Sequence, residues 1–201
     1  MSLMRNLLRA TAALAATGAL GACAMNDAMS GMDESMGAQA GASVMVGGAA
    51  MLPTRNIVQN AMNSRDHTTL VAAVKQAQLV DTLSGDGPFT VFAPTNAAFA
   101  ALPSAAVASL MQDANRAQLQ QVLTYHVVPG RITAQDLMAR VAQGGGTARL
   151  TTVEGDPLTV MQHGSEVHVT DTKGNMARVT IANVFQSNGV IHVVDKVLMP
   201  S

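Results

Sequence analysis

The spacing of the apolar residues changes along this chain, and the change limits the folds that it can adopt. Between residues 56 and 142, apolar side chains recur every three or four positions, the period of amphipathic helices. From residue 148 onward they alternate with polar ones, the period of half-buried β-strands. Helices that precede strands, instead of alternating with them, predict an α+β fold around one core.

Helices and strands with defined bounds follow from these periods. Thr95 and Thr133 stand at the start of two helices, as N-cap residues do, and Ser64 or Asp66 is expected to cap the helix over 68–79. Turn residues separate the strands, which predicts an antiparallel meander. The predicted helices are 56–63, 68–79, 97–102, 103–111, 115–123 and 134–142, and the predicted strands of the meander are 148–153, 157–162, 166–170, 176–182 and 190–194.

The only cysteine, Cys23, follows Leu20-Gly21-Ala22 and an uncharged apolar run that begins at Ala10. That run has about the length of a signal-peptide core and is too short to span a bilayer as a helix. With Arg5 and Arg9 ahead of it, the segment resembles a bacterial lipoprotein signal. The resemblance implies that residues 1–22 are removed and that Cys23 carries the lipid. An ordinary signal peptide with an incidental cysteine is the alternative.

Charge and composition exclude several functions for the mature chain. Removing residues 1–22 takes away two of the 12 basic residues and none of the 13 acidic ones, which leaves an acidic protein. Such a protein lacks the positive field that nucleic-acid binding requires, and aromatic residues that could stack on bases make up only 2% of the chain. No cysteine follows Cys23, so an intrachain disulfide and a thiolate metal site are both excluded.

Residues 23–52 are rich in Gly, Ala, Ser and Met and are expected to be a flexible tether between the lipid and the folded domain. Four methionines in this segment recur at the spacing of one helix face: Met25, Met29, Met32 and Met36. Their thioethers are potential ligands for Cu(I) or sacrificial sites of oxidation. The alternative is a low-complexity linker in which methionine is merely a flexible apolar residue.

Three segments of the remaining chain resemble the conserved boxes of fasciclin domains. They are Gly87-Pro88-Phe89-Thr90-Val91-Phe92-Ala93-Pro94-Thr95-Asn96, Leu123-Thr124-Tyr125-His126-Val127-Val128-Pro129-Gly130, and Asn188-Gly189-Val190-Ile191-His192-Val193-Val194-Asp195 with its continuation to Pro200. The resemblance covers residues 53–200 and places one fasciclin-like domain at 53–201. It implies a twisted antiparallel β-sandwich wedge with helices packed on one side.

The fasciclin resemblance also implies adhesion and extracellular protein binding. Tyr125 and His126 match one of the family's proposed adhesion segments. Asn183 and Val184 match the Asp-Ile pair of animal members, although here the acid is missing. These four residues are therefore the candidate partner-binding residues. Apolar neighbours on both sides of Tyr125 and His126 favour the alternative that these two side chains lie in the core.

Sequence motifs for catalysis or for cofactor and metal binding are absent: the chain has no serine elbow, phosphate loop, zinc-protease motif or EF-hand. His163 and His168 flank one predicted turn, but the sequence suggests no third ligand for a metal ion. We therefore expect no enzyme activity, no cofactor and no metal site, apart from the Cu(I) candidates among the methionines of the tether.

The sequence therefore predicts a non-enzymatic, lipid-anchored adhesion module on the bacterial cell envelope. It would bind a cell-surface or matrix protein, touch the membrane through its lipid and bind no nucleic acid. The expected location is the outer membrane or the periplasmic side in a cell with two membranes. The alternatives are a periplasmic Cu(I) or redox handler that uses the tether methionines, and a carrier of small apolar ligands.

Overall fold

The computed structural model describes residues 43–201. Their helices are α1 (Ile57–Asn63), α2 (Thr68–Gln76), α3 (Val80–Ser84), α4 (Asn96–Ala100), α5 (Ser104–Leu110), α6 (Arg116–Tyr125) and α7 (Ala134–Gln143). Their strands are β1 (Val44–Val46), β2 (Ala49–Met51), β3 (Phe89–Pro94), β4 (Val127–Pro129), β5 (Thr147–Thr151), β6 (Pro157–His163), β7 (Glu166–Thr170), β8 (Met176–Gln186) and β9 (Gly189–Val194). The signal peptide, Cys23 and the four tether methionines lie outside the described residues.

Seven strands form one sheet in the order β4-β3-β9-β8-β7-β6-β5. Strands β5 to β9 are joined as the expected antiparallel meander, and β4 also pairs antiparallel with β3. The β3–β9 pair is parallel, a direction that the sequence did not predict. The α+β class and the largely antiparallel sheet are confirmed.

The two edges of this sheet approach each other. The backbone N–H of Val153, just after β5, donates to the carbonyl of Val127 in β4 over 2.8 Å. This bond links opposite edge strands, so the sheet is nearly closed. Near-closure shields the edge strands, which would otherwise present unpaired backbone groups, and it agrees with the expected wedge.

The neighbouring strands β3 and β9 are covered on both faces. Val91 and Ile191 face a core formed with α1, α2 and α3, whereas Phe92 and Val194 face a second core formed with α7 and strands β5 to β7. Continuous apolar runs are typical of strands covered on both sides, and all six residues of β9 are buried. The parallel pair is therefore the partition between the two cores.

Local capping explains where several helices begin. The Thr95 hydroxyl accepts the N–H of Ala98 over 3.3 Å, and Thr133 forms a reciprocal capping box with Asp136. The predicted N-cap roles of Thr95 and Thr133 are therefore confirmed.

The predicted cap of α2 by Ser64 or Asp66 is wrong. The chain enters α2 through a 3-10 turn, where the Ser64 hydroxyl is hydrogen bonded to Nδ1 of His67. The side-chain oxygen of Asn96, on α4, accepts the N–H of Thr69 over 3.0 Å instead. The cap is supplied by a residue distant in sequence, which no local pattern identifies.

The folded domain begins before residue 53. Strands β1 and β2 form a hairpin that includes the last part of the segment expected to be tether, and it turns at Gly47 and Gly48, both with positive φ. Val46 and Met51 are each only 3% exposed and lie in the first core. Small residues gave this segment the appearance of a linker, but the turn lets two apolar side chains reach the core.

Asn188 connects the turn before β9 to two helices. Its Oδ1 accepts the N–H of Ile57 at the start of α1 over 3.0 Å. Its Nδ2 donates to the carbonyls of Leu83 and Gly85, at the end of α3, over 2.9 and 2.8 Å. One buried amide thus satisfies three backbone groups, which explains structurally why this asparagine belongs to the third box.

Replacing Asn188 with Ala is expected to lower the free energy of unfolding by about 3 kcal/mol, because it leaves one buried N–H and two carbonyls unpaired. Ser187→Ala, at the exposed neighbouring position, is the matched control and should change stability by less than about 0.5 kcal/mol. Urea denaturation of both variants measures the difference. Equal stability of the two variants would refute the structural role of Asn188.

Candidate functional site

Tyr125, at the end of α6, is completely buried in the second core. Its hydroxyl donates to the carbonyl of Pro157 over 3.1 Å and accepts the N–H of Thr172 over 3.2 Å. The pKa of the Tyr125 hydroxyl is raised, mainly because the side chain is buried. The side chain therefore fixes two turns from inside the protein.

His126 is buried as well, and both of its ring nitrogens have backbone partners. Nδ1 donates to the carbonyl of Val122 over 2.7 Å, and Nε2 accepts the N–H of Leu198 over 3.0 Å. Since one nitrogen donates and the other accepts, the ring is held as the neutral tautomer. Burial lowers the pKa of His126 to about 4. The interpretation of His126 as a hydrogen-bonded core residue is confirmed.

Asn183 and Val184 lie at an irregularity in β8. The register against β9 shifts between Ile181 and Val184, and Asn183 has a φ of 57°. This β-bulge turns the two neighbouring side chains to different environments: Val184 is 1% exposed in the first core, whereas Asn183 lies at the surface, half-buried.

The Asn183 side chain holds the beginning of α7. Its Oδ1 accepts the N–H of Ala134 over 2.7 Å, and its Nδ2 donates to Oε1 of Gln135 over 3.1 Å. The backbone N–H of Asn183 also donates to Nδ1 of the buried His192 over 3.5 Å. Contacts from both the helix and the neighbouring strand therefore fix the position of the bulge.

Arg131 extends the exposed polar surface beside the bulge. Its guanidinium donates to the carbonyls of Gln186 and Ser187, at the end of β8, over 3.2 Å each. We call the surface formed by Arg131, Gln135 and Asn183 the bulge face. Sequence reasoning missed Arg131 and Gln135, because only contacts across some 50 residues bring them to the second half of β8.

An apolar cavity of about 40 Å³ lies between the first three helices and β3. Its lining includes Val58 and Val74 from the helices and Val91 from the sheet. An engineered apolar cavity that admits benzene has a volume of about 150 Å³. The cavity is therefore too small for an organic ligand of that size and does not favour a carrier function.

Neither a three-ligand metal cluster nor a spanning helix occurs in the described part of the chain. Across residues 43–201, His, Cys, Asp and Glu side chains nowhere gather in threes at distances that would hold an ion. Over the same residues, no helix has both the length and the apolar character needed to cross a membrane.

Comparison with known proteins identifies a family. The fasciclin domain model matches residues 65–200, which include all three boxes. Protein sll1483 of Synechocystis is 48% identical over 158 residues, covering 79% of this chain and 81% of that protein. Cell surface glycolipoprotein MPB83 of Mycobacterium bovis is 34% identical over 159 residues, covering 77% of this chain and 64% of that protein.

A solved structure supports the same fold. A domain pair from the insect cell adhesion molecule Fasciclin I superimposes with a TM-score of 0.66 at 19% sequence identity. The match covers 74% of this chain and 52% of the insect chain. At this identity the similarity establishes the architecture alone.

Acidification is expected to destabilise the domain, because burial lowers the pKa of His67, His126 and His192. As the pH falls below the unfolded value of 6.5, the unfolded chain binds protons that the folded one does not, so stability decreases until the pH reaches the folded value, about 4 for His126. His126 accounts for about 3 kcal/mol of this loss in the free energy of unfolding. Urea denaturation at a series of pH values measures it.

His126→Gln removes this titration while its amide can still donate and accept. The variant should lose less stability than the parent between pH 6.5 and pH 4. His163→Gln, at an exposed position, is the control and should keep the parent's pH dependence. An unchanged slope in His126→Gln would contradict the assignment of a buried neutral ring.

Proposed function

Because this chain belongs to the fasciclin domain family, we propose that it is a non-enzymatic protein-binding module that mediates adhesion at the bacterial cell envelope. The observation that carries the proposal is the family match over residues 65–200. A relative at 34% identity supports it, because MPB83 is a cell surface glycolipoprotein.

The positions of the titratable side chains favour binding over catalysis. His67, His126 and His192 are buried, and hydrogen bonds to the backbone occupy both ring nitrogens of His126 and His192. General acid–base catalysis needs a side chain within reach of a substrate. The imidazoles of His126 and His192 serve the fold instead, since each ties one element to another.

The bulge face is our candidate for the partner-binding surface. It presents the Arg131 guanidinium and the Gln135 amide on elements fixed by the hydrogen bonds of Asn183. Arginine is enriched among the residues that dominate protein interfaces, and its planar fork suits carboxylates. We therefore propose that the partner is a cell-surface or matrix protein that offers an acidic group to Arg131.

The other candidate residues are proposed to act from inside the domain. Tyr125 fixes the turns at Pro157 and Thr172, His126 holds the backbone of Leu198, and Val184 fills the core beneath the bulge. Buried side chains do not touch a docked protein directly. Their proposed role is to set the positions of the surface residues that do.

A lipid on Cys23 would keep the domain at the membrane, either the outer membrane or the periplasmic side in a cell with two membranes. Two or more acyl chains anchor a protein stably, because each buried methylene contributes about 0.8 kcal/mol. Residues 24–42 separate Cys23 from the described domain, a length of chain that reaches at most about 65 Å. This reach would let the bulge face meet a partner beyond the membrane surface.

Arg131→Glu is expected to reduce attachment of cells that display the protein by about tenfold, because it reverses the charge offered to an acidic partner. The measurement is retention of these cells on surfaces coated with matrix proteins or with a second bacterial layer. Arg149→Glu, an identical charge change at an exposed position of β5, is the matched control and should leave attachment unchanged.

Cys23→Ala gives the second control in the same experiment. The variant has no thiol to acylate, so cells should lose both the anchored protein and the attachment. If cells with Arg131→Glu attach fully while cells with Cys23→Ala do not, the bulge face is not the binding surface. If cells with each of the two variants attach fully, the proposed adhesion function is refuted.

A further inference from the structure

The outward face of the β6–β7 hairpin gathers four side chains that can bind or orient a metal ion. Met161 is directly opposite His168, and His163 is directly opposite Glu166. Val160, Val167 and Val169, on the alternate positions, are buried in the second core, so the four side chains share the outer face. We call this surface the β6–β7 face.

The two imidazoles of this face are spaced as ligands of one ion would be. The ring centroids of His163 and His168 are 5.1 Å apart, with an interplanar angle of 68°. Two imidazoles that bind one ion through bonds of about 2 Å at a near-tetrahedral angle hold their centroids about 5 Å apart. The spacing therefore already matches that of a shared ion, with the His163 side chain exposed and the His168 side chain 17% exposed.

Glu166 orients one of these rings. Its Oε2 lies 3.3 Å from Nε2 of His168, and its Oε1 lies 3.4 Å from the guanidinium of Arg178. A carboxylate that accepts the N–H of one ring nitrogen leaves the other nitrogen with a free lone pair, as in metal-binding histidines. The same carboxylate, together with Asp195 at 3.5 Å, offsets the charge of Arg178 next to the site.

Met161 supplies the ligand that the sequence did not suggest for the histidine pair. Directly opposite residues of an antiparallel pair have Cβ atoms about 5 Å apart, within reach of a flexible thioether. Two imidazoles and one thioether form a soft ligand set, which favours Cu(I) over the hard cations that prefer oxygen. This set contains a methionine and so differs from the clusters of His, Cys, Asp and Glu considered above.

We infer that the β6–β7 face binds one Cu(I) ion through His163, His168 and Met161, with Glu166 orienting His168. The proposed ligands include none of the tether methionines and no residue of the bulge face. It requires no change of oxidation state, since the ion is bound and released as Cu(I).

The test is an anaerobic titration of the mature chain, carrying Cys23→Ala, with Cu(I) in competition with a chelator of known affinity. In the imidazole NMR spectrum, the signals of His163 and His168 should shift together, while those of the three buried histidines stay in place. His163→Gln and His168→Gln should each weaken binding at this site at least tenfold. Glu166→Gln should weaken it by about tenfold to a hundredfold.

Methionine variants separate the two possible copper sites. Met161→Leu should weaken Cu(I) binding at the face, whereas Met176→Leu, a half-buried methionine on β8, is the matched control. Replacing Met25, Met29, Met32 and Met36 together with Leu should leave the histidine shifts unchanged. Histidine signals that stay in place during titration of the parent, or shifts that vanish when only the tether methionines are replaced, would overturn the inference.

Discussion

The parallel pairing of β3 with β9 is the interaction on which the rest of the structure depends. It joins residues 89–94 to residues 189–194, which are the second and third strands of a seven-stranded sheet. Because both strands are covered on both faces, the same pair contributes side chains to both cores. The turn that precedes β9 carries Asn188, whose three hydrogen bonds hold α1 and α3 against that pair. The first and third sequence boxes are thus two halves of one structural unit.

The position of the bulge face depends on this pair of strands. His192 on β9 accepts the N–H of Asn183 and donates to the carbonyl of Ile132, so the bulge and the segment before α7 share one buried anchor. These contacts fix the positions of Arg131 and Gln135.

The histidines that could suggest chemistry from sequence alone divide into two groups. Those in the core have their pKa lowered by burial, whereas His163 and His168 lie on the outward β6–β7 face.

Local sequence patterns were sufficient to predict the α+β class, the five-strand meander and the caps at Thr95 and Thr133. The three boxes together identified the family. Features fixed by long-range contacts were not predictable. The capping of α2 by Asn96, the parallel direction of β3 and β9, and the position of Met161 opposite His168 all depend on register between distant segments. The hairpin at residues 44–51 was missed for another reason: its small residues resemble a linker until Val46 and Met51 are seen in the core.

Native-state hydrogen exchange tests the central role of the β3–β9 pair most directly. If this pair holds the domain together, the amides of Phe92 and Val193 should exchange only through global unfolding, with a protection free energy equal to that from denaturation. The amides of α5, none of whose residues is buried, should exchange much faster through local opening. Exchange of Phe92 and Val193 as fast as that of α5 would contradict the account.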